Sequence, residues 1–383
     1  MNSNFLYFKI SYFMLYFAMA SYYPMLGKYY KDLGFSGAQI GILFSAATLV
    51  TLIVQPLWGI ISDKMGNCKT SFKIMHIAII FIALIFPFIT SYKWMLIFMS
   101  IHFIFQCGLF PILDTMIYKD VYDFGHIRLW GSIGFAVMVL FSGKISEKIG
   151  INNMFYLYSF LMIVSLFFGM KIIEKSNNKH KKHERSSIKK IFKPNYIYFL
   201  LMGFFTYGAF STGGQYFSIL FTELGGSMKF FGITYFFIAF SEVPFLRISQ
   251  KLVKKFGAEK MILFSGFLVL FRFGLNSLAS DYRIILYTSI FMGSFIGVVL
   301  PAAAVFLKEN IDEQNRAKAV TIYSSISTGL GPMIFQYGGG ILYEKTNISL
   351  LYVVLCGLII VGTIFSYKMY TYKKNQNKHT LKI

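Results

Sequence analysis

This chain is poor in charge. Asp, Glu, Lys and Arg make up 14% of its 383 residues, against a hydrophobic share of 56%. A soluble domain so apolar could not cover its surface with polar groups, so lipid must be the solvent for most side chains. Acid is especially scarce, with 16 Asp and Glu against 37 Lys and Arg. Only three cysteines occur, Cys68, Cys107 and Cys356, in or beside different apolar runs. They imply no disulfide framework, and no Cys/His spacing resembles a metal site. No Gly-rich Lys-Ser/Thr loop is present to cradle nucleotide phosphates, and no nucleophile–base pair stands out. Nucleotide-driven pumping and catalysis therefore lack support. The chain is expected not to be an enzyme and to need no metal or organic cofactor.

Apolar runs, by contrast, are abundant. A bilayer crossing takes about 20 residues. Suitable stretches fall at 5–26, 36–62, 72–91, 94–119, 128–149, 152–172, 196–222, 228–254, 260–279, 283–308, 315–343 and 349–370. Twelve spans make this an all-α membrane protein. The net charge of +21 would suit nucleic acid, but its placement argues otherwise. Most Lys and Arg fall in alternate loops and in the C-terminal tail, the bias that marks a cytoplasmic face. Both termini are expected inside, at the plasma membrane, with anionic lipid rather than nucleic acid as the basic surface's partner. Ala18-Met19-Ala20 fits a signal cleavage pattern. No Lys or Arg precedes the first run, however, and Lys9 lies within it, so that span is expected to be retained.

The chain also repeats. The same offset separates Gly41 from Gly232 and Gly66 from Gly257, each pair opening or closing a matching apolar run. A slightly larger offset relates Gly134, Gly143 and Glu147-Lys148 to Gly331, Gly340 and Glu344-Lys345. Two six-helix bundles follow, at 1–173 and 196–370. A basic linker at 174–195 and a tail at 371–383 complete the expected layout. The linker reads as a tether, although Ile188, Ile191 and Phe192 would also suit an amphipathic piece on the membrane.

A charge at the bilayer centre costs about 2.5–3.5 kcal/mol on insertion scales, so ionisable groups inside spans mark function. Glu242 in span 8 and Arg272 in span 9 each lie about 18 Å from the inner end of their helix, at 1.5 Å per residue. Matching depth on antiparallel neighbours predicts a pair, either a static ion bridge or a proton-exchanging carboxylate beside its cation. Arg247 lies off the face of Glu242, and Lys9 near an inner end suits snorkelling. Span 4 carries His102 and Gln106 on one face, with Asp114 about two turns nearer the cytoplasm beyond Pro111. Arg128, opening span 5, is its expected partner. Tyr12, Tyr16, Tyr207, Gln215 and Tyr216 are candidates to line a cavity, although Tyr and Phe are so frequent here that such aromatics more often face lipid or pack in the core.

Between spans 2 and 3 the chain reads Gly59-x-x-x-Asp63-Lys64-x-Gly66. This resembles the helix 2–3 loop of the major facilitator superfamily, with Asn67 and Cys68 where basic residues are usual. Arg128-Leu-Trp-Gly-Ser-Ile-Gly-Phe, Pro111-x-x-Asp114, Glu242 and Arg272 resemble its phenylpropionate permease-like group, near the lactose permease and nucleoside–proton symporters. The resemblance implies proton-coupled uptake of a small organic solute by alternating access, with the cavity between halves. It also implies a proton as coupling ion, function as a monomer, and a gating role for Asp63 near Asn315-Arg316-Ala317. An efflux antiporter is the alternative. Its signature, Gly-Pro-x-x-Gly-Gly on helix 5, is absent, and Gly329-x-Gly331-Pro332 on helix 11 is only a loose likeness. A non-transporting sensor is the less expected reading, since no stretch of this sequence reads as a soluble output domain.

Overall fold

A computed structural model describes residues 3–119, 124–173 and 191–380. Helix is the regular structure throughout these residues. α1 (Ser3–Tyr22) continues through a tight turn, Tyr23–Met25, into Leu26–Asp32. Then come α2 (Gly37–Met65), α3 (Cys68–Ile85), α4 (Tyr92–Lys119), α5 (Phe124–Ile149) and α6 (Met154–Gly169). α7 runs through Pro194–Met202, a π segment at Gly203–Tyr207, and Gly208–Glu223. α8 (Met228–Phe256) and α9 (Ala258–Leu278) are unbroken. α10 is split into Tyr282–Tyr287 and Ile290–Asn310. α11 runs through Glu313–Ser324, a π segment at Ser325–Leu330, and Gly331–Lys345, and α12 is Ile348–Thr380.

These are the twelve expected spans. Among the described residues, nine helices are long and apolar enough to cross a membrane. In α1 the tyrosines, Asn4 and Lys9 dilute the run, while π segments interrupt α7 and α11. Two differences from the sequence reading stand out. Span 10 breaks at Thr288 and Ser289, and α12 continues past 370 into the expected tail. Most of the expected linker, 174–190, lies outside the described residues.

Local chemistry sets the ends. Ser36 and Gln39 form a reciprocal capping box at the start of α2, Ser36 N–H donating to Gln39 Oε1 at 2.9 Å. Gly66 ends the helix in the left-handed region at φ 65°. Asn67 Oδ1 then accepts from the Lys69 and Thr70 amides at 2.8 and 3.3 Å, opening α3. The repeat is visible in the backbone as well. Gly257, the counterpart of Gly66, has φ 85°, and Gly34 and Gly225, one repeat apart, both have φ 80°.

The chain forms two compact units, Met1–His180 with Gly226–Phe236, and Lys181–Gly225 with Phe237–Ile383. In the first, α1 lies along α5 and α6, α4 lies along α2 and α3, and α3 meets α6. α1 and α5 approach backbone to backbone, since a methyl on Gly134 would strike the Phe13 carbonyl. Gly143 of α5 meets Gly232 of α8 in the same way, and Glu147 Oε1 accepts the Lys229 amide at 2.8 Å.

In the second unit α9 packs along α10 and α12. Phe199 stacks on Phe306 and Tyr323 at 4.4 and 4.2 Å between ring centroids. A polar clamp closes one end of this unit. Lys373 Nζ binds Glu259 and Glu309 at 2.8 and 2.9 Å, and Asn195 donates to Asn310 at 3.1 Å. Asn195 stands one repeat after Asn4, which brackets Ile173 with two hydrogen bonds of 3.0 and 2.8 Å. The sequence reading missed both clamps. The repeat offset relating Asn4 to Asn195 was the available signal.

Candidate functional site

Three helices of the first unit converge on Arg128. Glycine at 131 lets Tyr16 and Tyr12 of α1 lie against α5. One turn earlier on α5, the Arg128 guanidinium carbon sits 4.4 Å from the Tyr16 ring centroid. Tyr16 in turn meets Phe110 of α4 at 4.6 Å. That contact brings the ring to the turn of α4 that also carries Pro111 and Asp114. Arg128 is the cation acting electrostatically on Asp114. The carboxylate is half-buried, and its Oδ1, shielded from solvent, accepts no hydrogen bond among the described residues. Arg128 donates one long bond, Nη1 to Ser132 Oγ at 3.5 Å. A guanidinium carries five N–H donors, so most of its capacity faces no acceptor among the described residues. The result is a planar donor fork on an aromatic ring, with a carboxylate oxygen on the neighbouring helix that accepts no hydrogen bond among the described residues.

His102 and Gln106 lie deeper in the same unit, in a sealed network. Tyr22 Oη lies 3.1 Å from His102 Nε2, and Gln106 Nε2 donates to Tyr22 and Tyr158 at 2.8 and 3.3 Å. All four side chains are buried. The pair shares a face, as i,i+4 spacing predicts, but that face meets α1 and α6 rather than joining Asp114. Tyr22 and Tyr158 escaped the sequence reading because nothing distinguished them among 26 tyrosines.

In the second unit Glu242 lies at the midpoint of α8, half-buried. Its backbone lies against Gly293 and Gly297, so α8 packs closely on α10. Ser241 and Ser249 donate across the same seam to the Ile290 and Gly297 carbonyls at 3.2 and 2.7 Å. Arg272 was expected to pair with Glu242. The structure gives it other partners, the Thr288 hydroxyl and the Ile285 carbonyl, the latter at 3.0 Å. The reason is positional. α8 and α9 each pack on α10, and Arg272 lies nearer the Leu278 end of α9, opposite the break in α10. There the fully buried guanidinium serves backbone and hydroxyl groups at the helix interruption.

The cavity candidates divide. Tyr16 forms part of the Arg128 site, and Tyr207 and Gln215 are half-buried, Tyr207 meeting Phe210 at 5.9 Å. Tyr12 is 1% exposed and sealed in the α1–α5 seam, so it is not a wall residue. Tyr216 is likewise sealed, donating to the Gln336 carbonyl at 3.3 Å. Gly59, Asp63, Lys64 and Gly66 form the exposed end of α2, with the Gly66 amide bonded to the Asp63 carbonyl at 3.1 Å. No group of three His, Cys, Asp or Glu that could hold a metal occurs among the described residues.

Comparison with known proteins bears on what these helices do. The chain is 27% identical to a transporter of Bacillus subtilis (strain 168) named YwbF and described as uncharacterized, over 97% of this chain and 94% of that one. It is 26% identical to the maltose permease of Geobacillus stearothermophilus, over 93% and 92%. Its fold matches the crystal structure of the nucleoside transporter NupG, with a TM-score of 0.81 and 18% identity. That match covers 97% of this chain and 99% of the other. Residues 5–354 match the MFS_1 like family. The chain belongs to that family and is a multi-pass membrane transporter, not an enzyme.

Proposed function

We propose that this protein is a proton-coupled symporter that takes up a small hydroxyl-rich solute, of disaccharide size, by alternating access. The observation that carries this reading is the Arg128–Tyr16–Asp114 arrangement. Sugars present alternating donor and acceptor hydroxyls and apolar ring faces. A guanidinium fork, an acceptor carboxylate oxygen and an aromatic plane match each of these. Similarity to a maltose permease across nearly the whole chain supports the same cargo class.

Glu242 is the proton carrier in this scheme. A charged carboxylate midway along an apolar span is costly, and an acid at that depth is the group of this helix suited to carry a proton across. The proton is the coupling ion, both termini lie in the cytoplasm, and the protein works in the plasma membrane as a monomer.

The test is uptake of labelled maltose into proteoliposomes, driven by a pH gradient, beside counterflow at equal pH. The parent should accumulate maltose only with the gradient inward. Glu242→Gln, which mimics the protonated acid, should keep counterflow and lose accumulation. Gradient-independent accumulation by the parent would overturn the coupling. Failure of maltose and of other disaccharides to exchange at all would overturn the cargo class.

A further inference from the structure

Lys9 lies on the second turn of α1, inside an apolar helix. Among the described residues its amine makes no hydrogen bond and meets no carboxylate. It lies over the Phe5 ring at 4.1 Å and near the Trp130 ring at 5.9 Å. It also opens onto a groove of about 380 Å³ between α1 and α5, lined by Leu6, Lys9, Ile10, Phe13 and Trp130. Leu6 and Trp130 are 41% and 38% exposed, so the groove is open to its surroundings.

Those surroundings can be read from α5. Trp130 follows Arg128 by two residues, about 200° around the helix, so it faces away from the solute site. Ile133 and Phe141 extend the same exposed apolar stripe. An exposed apolar stripe on a membrane helix faces hydrocarbon. The groove is therefore a furrow on the lipid side. Lys9 lies one turn inside the end nearest the helix N-terminus, which Leu6 marks, and an indole lies beside it, the side chain that gathers at membrane interfaces.

A lysine in this position is unbalanced. The two rings offset part of the cost of holding a cation beside hydrocarbon, but the site has a positive charge and no anion among the described residues. We infer that the α1–α5 furrow binds an anionic phospholipid, its phosphate on Lys9 and an acyl chain along Leu6, Ile10, Phe13 and Trp130. A zwitterionic lipid fits less well, because its phosphate is already compensated by its own ammonium. A soluble phosphate would leave the apolar furrow unfilled. This inference is independent of the cargo and of proton coupling.

Tryptophan fluorescence tests it, because Trp130 belongs to the site. Trp58→Phe with Trp94→Phe leaves Trp130 as the sole reporter. Trp58→Phe with Trp130→Phe leaves Trp94, which opens α4 at the other side of the membrane, as the control. Each full-length protein is placed in phosphatidylcholine vesicles carrying increasing brominated phosphatidylglycerol, whose bromines quench nearby indoles. Selectivity for phosphatidylglycerol at Trp130 should be about five-fold, the factor expected of one basic residue at a membrane surface. At Trp94, in a control protein that also carries Lys93→Gln because that lysine adjoins the reporter, it should be near one. Lys9→Gln should bring Trp130 to near one as well, and Lys9→Arg should restore the preference. Equal quenching by brominated phosphatidylcholine and phosphatidylglycerol at Trp130 would overturn the inference. So would selectivity that survives Lys9→Gln, or that is abolished by millimolar glycerol phosphate.

Discussion

Replacing Arg128 by lysine keeps the charge and removes what the solute site uses. The guanidinium lies 4.4 Å above the Tyr16 ring and presents a planar fork, most of it without an acceptor among the described residues. Lysine stacks less well and offers a single point of contact. The lost cation–π contact is worth about 0.5–2 kcal/mol at a partly buried site. One lost charge-assisted hydrogen bond to the cargo adds about 1.5–3 kcal/mol. The cation–π contact is present in the empty protein, so its loss falls on stability; the hydrogen bond alone sets the loss of affinity, and at about 1.4 kcal/mol per factor of ten its lower figure weakens binding about ten-fold. The expected result is an apparent affinity for maltose in counterflow reduced about ten-fold or more, with the melting temperature of the empty protein slightly lowered. Tyr16→Phe, which keeps the ring, should behave like the parent, and Tyr16→Leu should fall between. Counterflow affinity within three-fold of the parent in both Arg128→Lys and Tyr16→Leu would refute the reasoning and remove this site from the solute path.

Arg272 serves the break in α10 rather than Glu242, so Arg272→Met should keep proton-driven accumulation. Leaving the Ile285 carbonyl unpaired costs about 1–3 kcal/mol, and removing a buried charge recovers a similar amount; loss of coupling in folded protein would contradict this placement. Gly134→Ala forces a methyl against the Phe13 carbonyl, so a lower melting temperature is expected, by about 1–3 kcal/mol of overpacking. Gly338→Ala, where a methyl meets open space, should be neutral or stabilising, and equal effects at the two sites would show that α1 and α5 are not in close contact. Cysteines at Thr70 and Asn152 test orientation. An impermeant thiol reagent applied to intact cells should label Asn152→Cys and spare Thr70→Cys, and the reverse pattern would invert the topology.

The sequence by itself determined the number of spans and the two-fold repeat. These are local matters. In hydrocarbon each span must satisfy its own backbone, so a spanning helix announces itself as an apolar run of fixed length. Gly66 and Gly257 were legible because only glycine takes the left-handed turn cheaply; the caps at Ser36, Gln39 and Asn67 went unread, although such caps act within three residues. The polar positions worth attention, Asp114, Arg128 and Glu242, were legible because charge in a span is expensive. Which of them meet was not. A helix surrounded by lipid and other helices is apolar on every side, and its sequence carries little sign of which face turns inward. Arg272 and Glu242 matched in depth along their helices, yet packing on α10 gave Arg272 the groups at Thr288 and Ile285 instead. Tyr12 and Tyr16 look alike in sequence, and rotation about α1 seals one while setting the other under Arg128. Tertiary structure alone decided these contacts, because they depend on helix rotation and close glycine approach, neither of which a hydropathy pattern records.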